Sequence, residues 1–529
     1  MTALMDHLII LPILLPMAAG ALMLLFSERR YALKRAIGLA TTVALLAISV
    51  TLFRDAAVAT APRVYLLGDW PAPFGITLVA DRLSTMMLVL ANVLGFTSLC
   101  YASARWDQAG PRFHALFMLQ LVGLNGAFLT GDLFNLFVFF EVLLAASYGL
   151  LLHGATRERV SAGLHYITIN VAASLLFLIG ASLIYSVTGT LNLADLAVRI
   201  PAVLAENAAI LQAGIGILIV AFLIKAGIWP LGFWLPTTYS AATPPVAALF
   251  AILSKIGVYA ILRVSMLLPA DTSGGATPFG GEWLQIFGMI TIFFGAIGAL
   301  SSKRLSRLAG FSLIVSSGTL IATIGSGGMV LSAALFYLVS STMAVSTFYL
   351  LIELIARGDA ATAPAAPDVV FDDEDVAMNE DNGEGEIGVV IPATWAIVGG
   401  VFMFCTLLLA GLPPLSGFVA KFAIINGLLG APITAATWTL IGLIVFSGLA
   451  VVIAASRAGL DLIWTPDRQL LPLRLSEAAP LGLLMLLCAL LTIFAGPAMR
   501  YTEEITRTLA HDQALLASAP QIAGAGVAR

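Results

Sequence analysis

The sequence predicts an all-α, polytopic integral membrane protein with about fourteen transmembrane helices. Three observations lead there. Of 529 residues, 60% are hydrophobic and only 11% are charged, whereas a soluble chain carries about a quarter charged residues. Mean hydropathy is +1.00, so lipid rather than water must solvate the surface. The apolar runs Leu8–Phe26, Ala36–Phe53, Leu83–Ala102 and Leu133–Leu152 each approach the roughly 20 residues that cross a bilayer as a helix. Their continuity excludes a β-barrel, whose short strands alternate.

Taken in chain order, helices are expected at 8–26, 36–53, 83–102, 113–129, 133–152, 165–187, 208–228, 246–268, 283–300, 308–324, 330–355, 395–429 (broken), 437–455 and 478–495. The first run has no Lys or Arg before it. The basic cluster Arg29, Arg30, Lys34 and Arg35 follows it, the reverse of a signal peptide, so the run is read as a retained helix. With the N-terminus outside, inside loops hold 15 Lys and Arg and outside segments 8. That bias places both termini outside, as an even number of helices requires.

Residues 358–390 carry ten acids and no Lys or Arg. A block of like charge behind an Ala/Pro lead-in reads as a solvated, disordered loop. Cys100, Cys405 and Cys488 are far apart and form no CxxC pair, which argues against metal or disulfide chemistry. His165 is read as a polar residue at a helix start, because no second intramembrane His pairs with it as a haem ligand would need. No nucleotide loop or Ser/His/Asp nucleophile is present. The sequence therefore calls for no cofactor, no resident metal and no nucleic-acid partner.

An internal echo singles out two places. Ala226-Gly227-Ile228-Trp229-Pro230-Leu231-Gly232-Phe233 resembles Ala410-Gly411-Leu412-Pro413-Pro414-Leu415-Ser416-Gly417-Phe418. Each sets Gly and Pro inside or at the end of an apolar run, where proline breaks the helix. Paired interruptions in two halves point to a transporter built from repeats, with its site near the breaks. Lys225 stands just before the first copy and Lys421 just after the second. Glu141 sits mid-run in Leu133–Leu152, and Lys255 nine residues into Val246–Leu268.

A charge at the bilayer centre costs about 2.5–3.5 kcal/mol on insertion scales. These four side chains must therefore face the bundle interior, pair, or meet water. Lysine in a dry site loses its proton more easily, and a nearby carboxylate reverses that. A Glu–Lys pair of changing separation can thus hold and release a proton. The competing reading is that the charges are buried pairs fixing helix contacts. Lysines near helix ends can also snorkel to the interface, which applies best to Lys225. Asp132 begins a helix and reads as a cap or a functional acid. Glu353 lies near a helix end, within reach of the interface. Asp81-Arg82 and Asp107/Arg105 read as interfacial salt bridges. Trp229, Phe233 and Trp234 pack the helix break or sit at an interface.

Several stretches together resemble a known family. They are Thr130–Glu141, Ser186-Val187-Thr188-Gly189-Thr190-Leu191-Asn192, Lys225 to Pro236, Lys255-Ile256-Gly257-Val258-Tyr259, and Gly411 to Phe422. They are similar to antiporter-like membrane subunits, the family of complex I proton-pumping subunits and of large subunits of multisubunit (Mrp-type) sodium/proton antiporters. Within it, Gly131–Glu141 with Ala145-Ala146-Ser147-Tyr148 looks most like the D-type large subunits of the Mrp-type antiporters.

The resemblance implies fourteen helices with two inverted five-helix repeats containing broken helices. It also implies Glu141 paired with Lys225, Lys255 as central relay, and Lys421 as the lysine of the second broken helix. The chain would then divide into N-terminal helices (1–105), a first repeat (106–275), a second repeat with the acidic loop (276–460), and a C-terminal helix and tail (461–529). The implied partners are other subunits of a hetero-oligomeric antiporter in a bacterial inner membrane, with protons and monovalent cations, sodium first, as the transported ions. The implied activity is secondary transport, not enzyme catalysis.

The chain departs from the family pattern in its eleventh helix. Relatives often carry His or Lys there, and here Ser340-Ser341-Thr342-Met343-Ala344-Val345 has neither. A hydroxyl run with bound water could stand in. Three rivals remain open at this level: a proton-pumping subunit of a complex I-like or hydrogenase-type redox complex, a non-translocating structural subunit, and a standalone small-molecule carrier active without partners.

Overall fold

The computed structural model describes residues 7–70, 73–267, 279–328, 330–362, 393–463 and 474–518. Eleven of its helices are long and apolar enough to cross a membrane. Two shorter apolar helices, Leu11–Leu25 and Phe113–Leu129, and one broken pair, Ala396–Ala410 with Ser416–Leu429, bring the crossings to the fourteen expected.

The helices run α1 (Leu11–Leu25), α2 (Tyr31–Val58), α3 (Arg82–Ala102), α4 (Phe113–Leu129), α5 (Leu133–Leu151) and α6 (Arg157–Thr188). Next come α7 (Leu193–Ala226), α8 (Trp234–Ala241), α9 (Pro244–Phe250), α10 (Leu253–Ser265), α11 (Gly281–Ser301) and α12 (Leu305–Ser326). The last are α13 (Val330–Thr362), α14 (Ala393–Ala410), α15 (Ser416–Leu429), α16 (Ala435–Ile463), α17 (Leu475–Ile493) and α18 (Ala495–Ser518). A short antiparallel hairpin, β1 (Arg63–Leu66) with β2 (Thr77–Ala80), joins α2 to α3.

Local chemistry fixes the helix starts. Asp81 accepts from the Ser84 backbone N–H at 2.7 Å, and the Ser84 hydroxyl accepts from the Asp81 N–H, a capping box that opens α3. Asp132 accepts from the Asn135 N–H at 2.8 Å and caps α5. Asn192 caps α7 through the N–H groups of Ala194 and Asp195. The loops before α5 and α7 are tied to each other, since Leu133 N–H donates to Leu191 C=O and Leu193 N–H to Gly131 C=O, both at 2.9 Å. Thr77 joins them through the Asn192 amide and the Gly131 N–H. Two of the motifs that carried the resemblance are therefore one structural knot at the end of the bundle.

The charge pairs differ from those expected. Asp81 does not pair with Arg82. It takes Arg263, at 2.5 Å, while Arg82 takes Glu504 at 3.2 Å. Nor does Asp107 pair with Arg105: it pairs with Arg35 and, at 3.2 Å, with His114. Burial alone would raise the Asp107 carboxyl, but Arg35 and His114 hold it below the usual range. Neighbours in sequence lose these contests because adjacent side chains diverge, whereas packed helices bring distant ones face to face.

His165 is exposed and lies well inside α6, which starts eight residues earlier than His165. Glu353, near its helix end, is buried in the protein, 4% exposed. It accepts from Tyr101, Arg105 and Arg357, and Arg357 also meets the fully buried Glu477 at 2.7 Å. That clamp ties α3, α13 and α17 together.

Beyond α17 the chain turns into the amphipathic α18, a helix the apolar pattern did not announce. Its Ile505 and Leu509 are buried, and its Tyr501 hydroxyl donates to the Arg82 carbonyl at 3.2 Å. Of the acidic stretch, residues 358–362 continue α13 and 363–390 lie outside the described residues.

Candidate functional site

The two echoed segments fold alike. Gly227 and Gly411 both take φ 75°, and each is followed three residues later by the proline of a cis peptide bond. At both, the next N–H reaches back into the preceding helix: Ile228 to Leu223 C=O and Leu412 to Leu407 C=O, both 3.0 Å. This is the Schellman closure of a helix, which needs the left-handed conformation that glycine adopts without strain. Each break thus leaves backbone carbonyls inside the bundle, tolerable at membrane depth only where protein or water meets them.

The carbonyls find different donors at the two breaks. At the first, the Trp234 indole N–H donates to Ile224 C=O at 3.3 Å. At the second, Lys421 Nζ donates to Ala410 C=O at 2.9 Å, a cation at the negative end of α14. Trp234 thus packs the break, while Trp229 and Phe233 are 38% and 57% exposed.

The stem of Lys421 also passes close to Gly411, where an added Cβ would stand 2.5 Å from its Cδ. Gly411→Ala should therefore both strain the backbone, by about 1–2 kcal/mol for a left-handed non-glycine, and push Lys421 off Ala410. Loss of the cation/proton exchange that the resemblance implies, with the chain still inserted in the membrane, is the expected result, measured by vesicle exchange and immunoblot. Normal exchange would show that the Lys421 contact is dispensable.

All four sequence-selected charges lie within the bundle. Lys255 is fully buried, Lys225 8% and Lys421 6% exposed, so Lys225 is no snorkelling side chain. Glu141, on α5, is half-buried and accepts from the Ser174 hydroxyl of α6. Lys225 Nζ sits 4.7 Å from the centroid of the Phe140 ring, a cation–π contact. Among the described residues no salt bridge within 4 Å joins Glu141 to Lys225; the acid's contact is Ser174 and the lysine's is the Phe140 ring.

Helix α10, which carries Lys255, packs directly on α7. A Cβ at Gly257 would stand 2.7 Å from Phe222 C=O and 2.8 Å from the Ala226 nitrogen, so no larger residue fits there. The span is interrupted at Ala251–Ile252, just before Lys255, where a continuous helix was expected.

Lys255 is where sequence reasoning found the residue and missed its partners. Its ammonium donates to Ser316 Oγ at 2.8 Å and Ser317 Oγ at 3.3 Å, both on α12. Ser316 in turn shares a 2.9 Å hydrogen bond with Ser341 of α13. The preceding residue, Ser340, shares a 2.8 Å bond with Ser416, the first residue of α15 and five before Lys421. The hydroxyl run expected to replace His or Lys in the eleventh helix is thus hydrogen-bonded on both sides.

Fold and site together define a multi-pass α-helical membrane protein with buried lysines at interrupted helices and two separate hydroxyl pairs, Ser316–Ser341 and Ser340–Ser416, in its interior. The sequence model for the family described as NADH:quinone oxidoreductase/Mrp antiporter, TM, matches residues 130–451. A probable K(+)/H(+) antiporter D subunit from Rhizobium meliloti (strain 1021) is 51% identical, over 98% of this chain and 99% of its own. A Na(+)/H(+) antiporter D subunit from Alkalihalophilus pseudofirmus (strain ATCC BAA-2126 / JCM 17055 / OF4) is 36% identical over 80% of each chain. In the solved Mrp complex from Dietzia sp. DQ12-45-1b, one chain superposes with a TM-score of 0.79 at 24% identity, covering 97% of this chain and 99% of that one, and shares its fold. This chain belongs to the NADH:quinone oxidoreductase/Mrp antiporter transmembrane family.

Proposed function

We propose that the chain is the proton-translocating D-type subunit of a multisubunit monovalent cation/proton antiporter in a bacterial inner membrane. The observation that carries this reading is the buried ammonium of Lys255 joined through Ser316 to Ser341, bonds of 2.8 and 2.9 Å. A buried lysine can be held by a carboxylate, a carbonyl or a hydroxyl. One donating to a row of hydroxyls can pass a proton along it, because each hydroxyl both donates and accepts. The relatives at 51% and 36% identity, named for potassium and sodium, make both cations test substrates. The same names favour partner subunits over a chain acting alone.

In this mechanism Glu141 and Lys225 take up the proton at the first helix break. Lys255 receives it, the Ser316–Ser341 and Ser340–Ser416 pairs carry it across α13, and Lys421 delivers it at the second break. The repeats 106–275 and 276–460 then each hold one broken helix and one terminal lysine of the path. The cation's path is assigned partly to partner subunits.

The test is cation/proton exchange in everted vesicles, read with a pH-sensitive dye, from a strain lacking its own antiporters. The gene is expressed with and without its neighbouring genes. Dequenching by potassium or sodium only with the neighbours is expected. Glu141→Gln and Lys225→Ala should each abolish exchange while the protein inserts and assembles normally. An assembled complex that exchanges neither cation would overturn the reading and turn attention to a redox-driven pump. Loss of assembly in both variants would instead assign the charges to helix contacts.

A further inference from the structure

The Lys421 side chain lies between two glycines. Gly411 faces its stem, where an added Cβ would stand 2.5 Å from Cδ and 3.1 Å from Cε. Gly448, buried in the middle of α16, faces its tip. A Cβ there would stand 2.6 Å from the Ala410 carbonyl oxygen and 3.5 Å from Lys421 Nζ. Those are the two atoms of the 2.9 Å ammonium–carbonyl contact. They come from α14 and α15, while the glycine comes from a third helix. The close approach is particular to this position, since at Gly442 on the same helix an added Cβ would meet nothing within 4 Å.

The first break has a similar seat without the lysine. Gly257 of α10 meets the last turn of α7, its Cβ position 2.7 Å from Phe222 C=O and 2.8 Å from the Ala226 nitrogen. Ala226 and Ala410 hold the same place, each directly before the left-handed glycine of its break. Lys225 instead sets its ammonium over the Phe140 ring, and none of the three atoms nearest that Cβ position belongs to it. Gly257 thus seats a helix on backbone and Cβ alone, whereas Gly448 seats one on a carbonyl and the ammonium it binds.

We propose that Gly448 is a positioning residue for Lys421: by letting α16 close on Ala410, it holds that carbonyl where the ammonium can donate to it. The effect on exchange rests on the transport reading; the contact does not. Helices α13, α14, α16 and α17 all pack on α15, and four charged side chains on them are engaged elsewhere. Glu353, Arg357 and Glu477 form the clamp, and Arg457 donates to Leu300 and Ser302 C=O. A displaced Ala410 carbonyl would therefore cost Lys421 the acceptor that favours its protonated form.

Gly448→Ala is compared with Gly442→Ala in the assembled complex. Gly448→Ala should move the alkaline limb of the exchange profile about one unit to lower pH, because an ammonium without its acceptor gives up its proton more easily, roughly the tenfold change that one hydrogen bond to a charge supplies. Gly442→Ala should leave the profile in place. A second readout needs no transport. The fall in melting temperature caused by Gly448→Ala should be roughly halved in a Lys421→Ala background, where the carbonyl is free to swing away. An equal fall in both backgrounds overturns the proposal, as does an unmoved profile in a complex that exchanges cations. If Gly448→Ala blocks assembly, Lys421→Ala should restore it, and failure in both backgrounds overturns the proposal too. Coupled melting in a wild-type complex that exchanges no cation would support the positioning role and remove the transport reading instead.

Discussion

Lys255→Arg is expected to stop cation-driven proton movement as completely as Lys255→Ala does, by roughly a hundredfold or more, the scale of a lost proton-transfer group. Charge and hydrogen-bonding capacity survive in the arginine. The ability to give up a proton does not, because guanidinium stays protonated in proteins. The surroundings make this a clean test. Lys255 is fully buried and donates to Ser316 and Ser317 at 2.8 and 3.3 Å, so a guanidinium still finds acceptors. Ser316→Ala and Ser341→Ala should each slow exchange less than removing the lysine, since the vacated space can admit water. The readout is dye-reported exchange in vesicles with complex assembly checked by native gel. An active Lys255→Arg protein would reduce Lys255 to a fixed positive charge.

Asp81→Ala should produce the largest loss of stability. Asp81 is 3% and Arg263 8% exposed, and the guanidinium meets the carboxylate at 2.5–2.7 Å. Removing one partner of a buried pair costs about 3–5 kcal/mol, because the other charge stays in the protein interior. Asp81 also accepts from the Ser84 N–H at the start of α3, and a lost cap adds about 1 kcal/mol. The variant should melt at a lower temperature in detergent and accumulate less in membranes. Replacing both residues, Asp81→Ala with Arg263→Leu, should recover part of the loss, since an apolar pair of similar volume has no charge to desolvate. An unchanged melting temperature for Asp81→Ala would show that the pair contributes nothing.

These two sites differ in how much of each the chain reveals. Lys255 is legible because a charge inside an apolar run violates a strong rule and so announces itself. Ser316 and Ser341 are only half legible. Ser341 stands out as part of a hydroxyl run where a basic residue is expected, but Ser316 looks like any small helix residue until α12 and α13 are laid side by side. Arg263 gives no signal, because it stands near the end of an apolar run, where a loop arginine would also stand. Glu477 is hidden for the same reason, Glu353 shows only as a residue near a helix end, and the amphipathic α18 is hidden because it lacks the long apolar run that marks a crossing helix.

By itself, then, the sequence determined the solvent, the crossing segments, the two Gly/Pro breaks and the four charges that lipid could not tolerate. All of these follow from local rules: how many apolar residues span a bilayer, where proline and left-handed glycine end a helix, and what a buried charge costs. Only the tertiary structure decided who meets whom. Asp81 faces Arg263 and not Arg82, Asp107 faces Arg35 and not Arg105, and Lys255 reaches α13 through Ser316. Partner choice is set by which helix faces pack, and packing between segments far apart in the chain leaves no local mark on it.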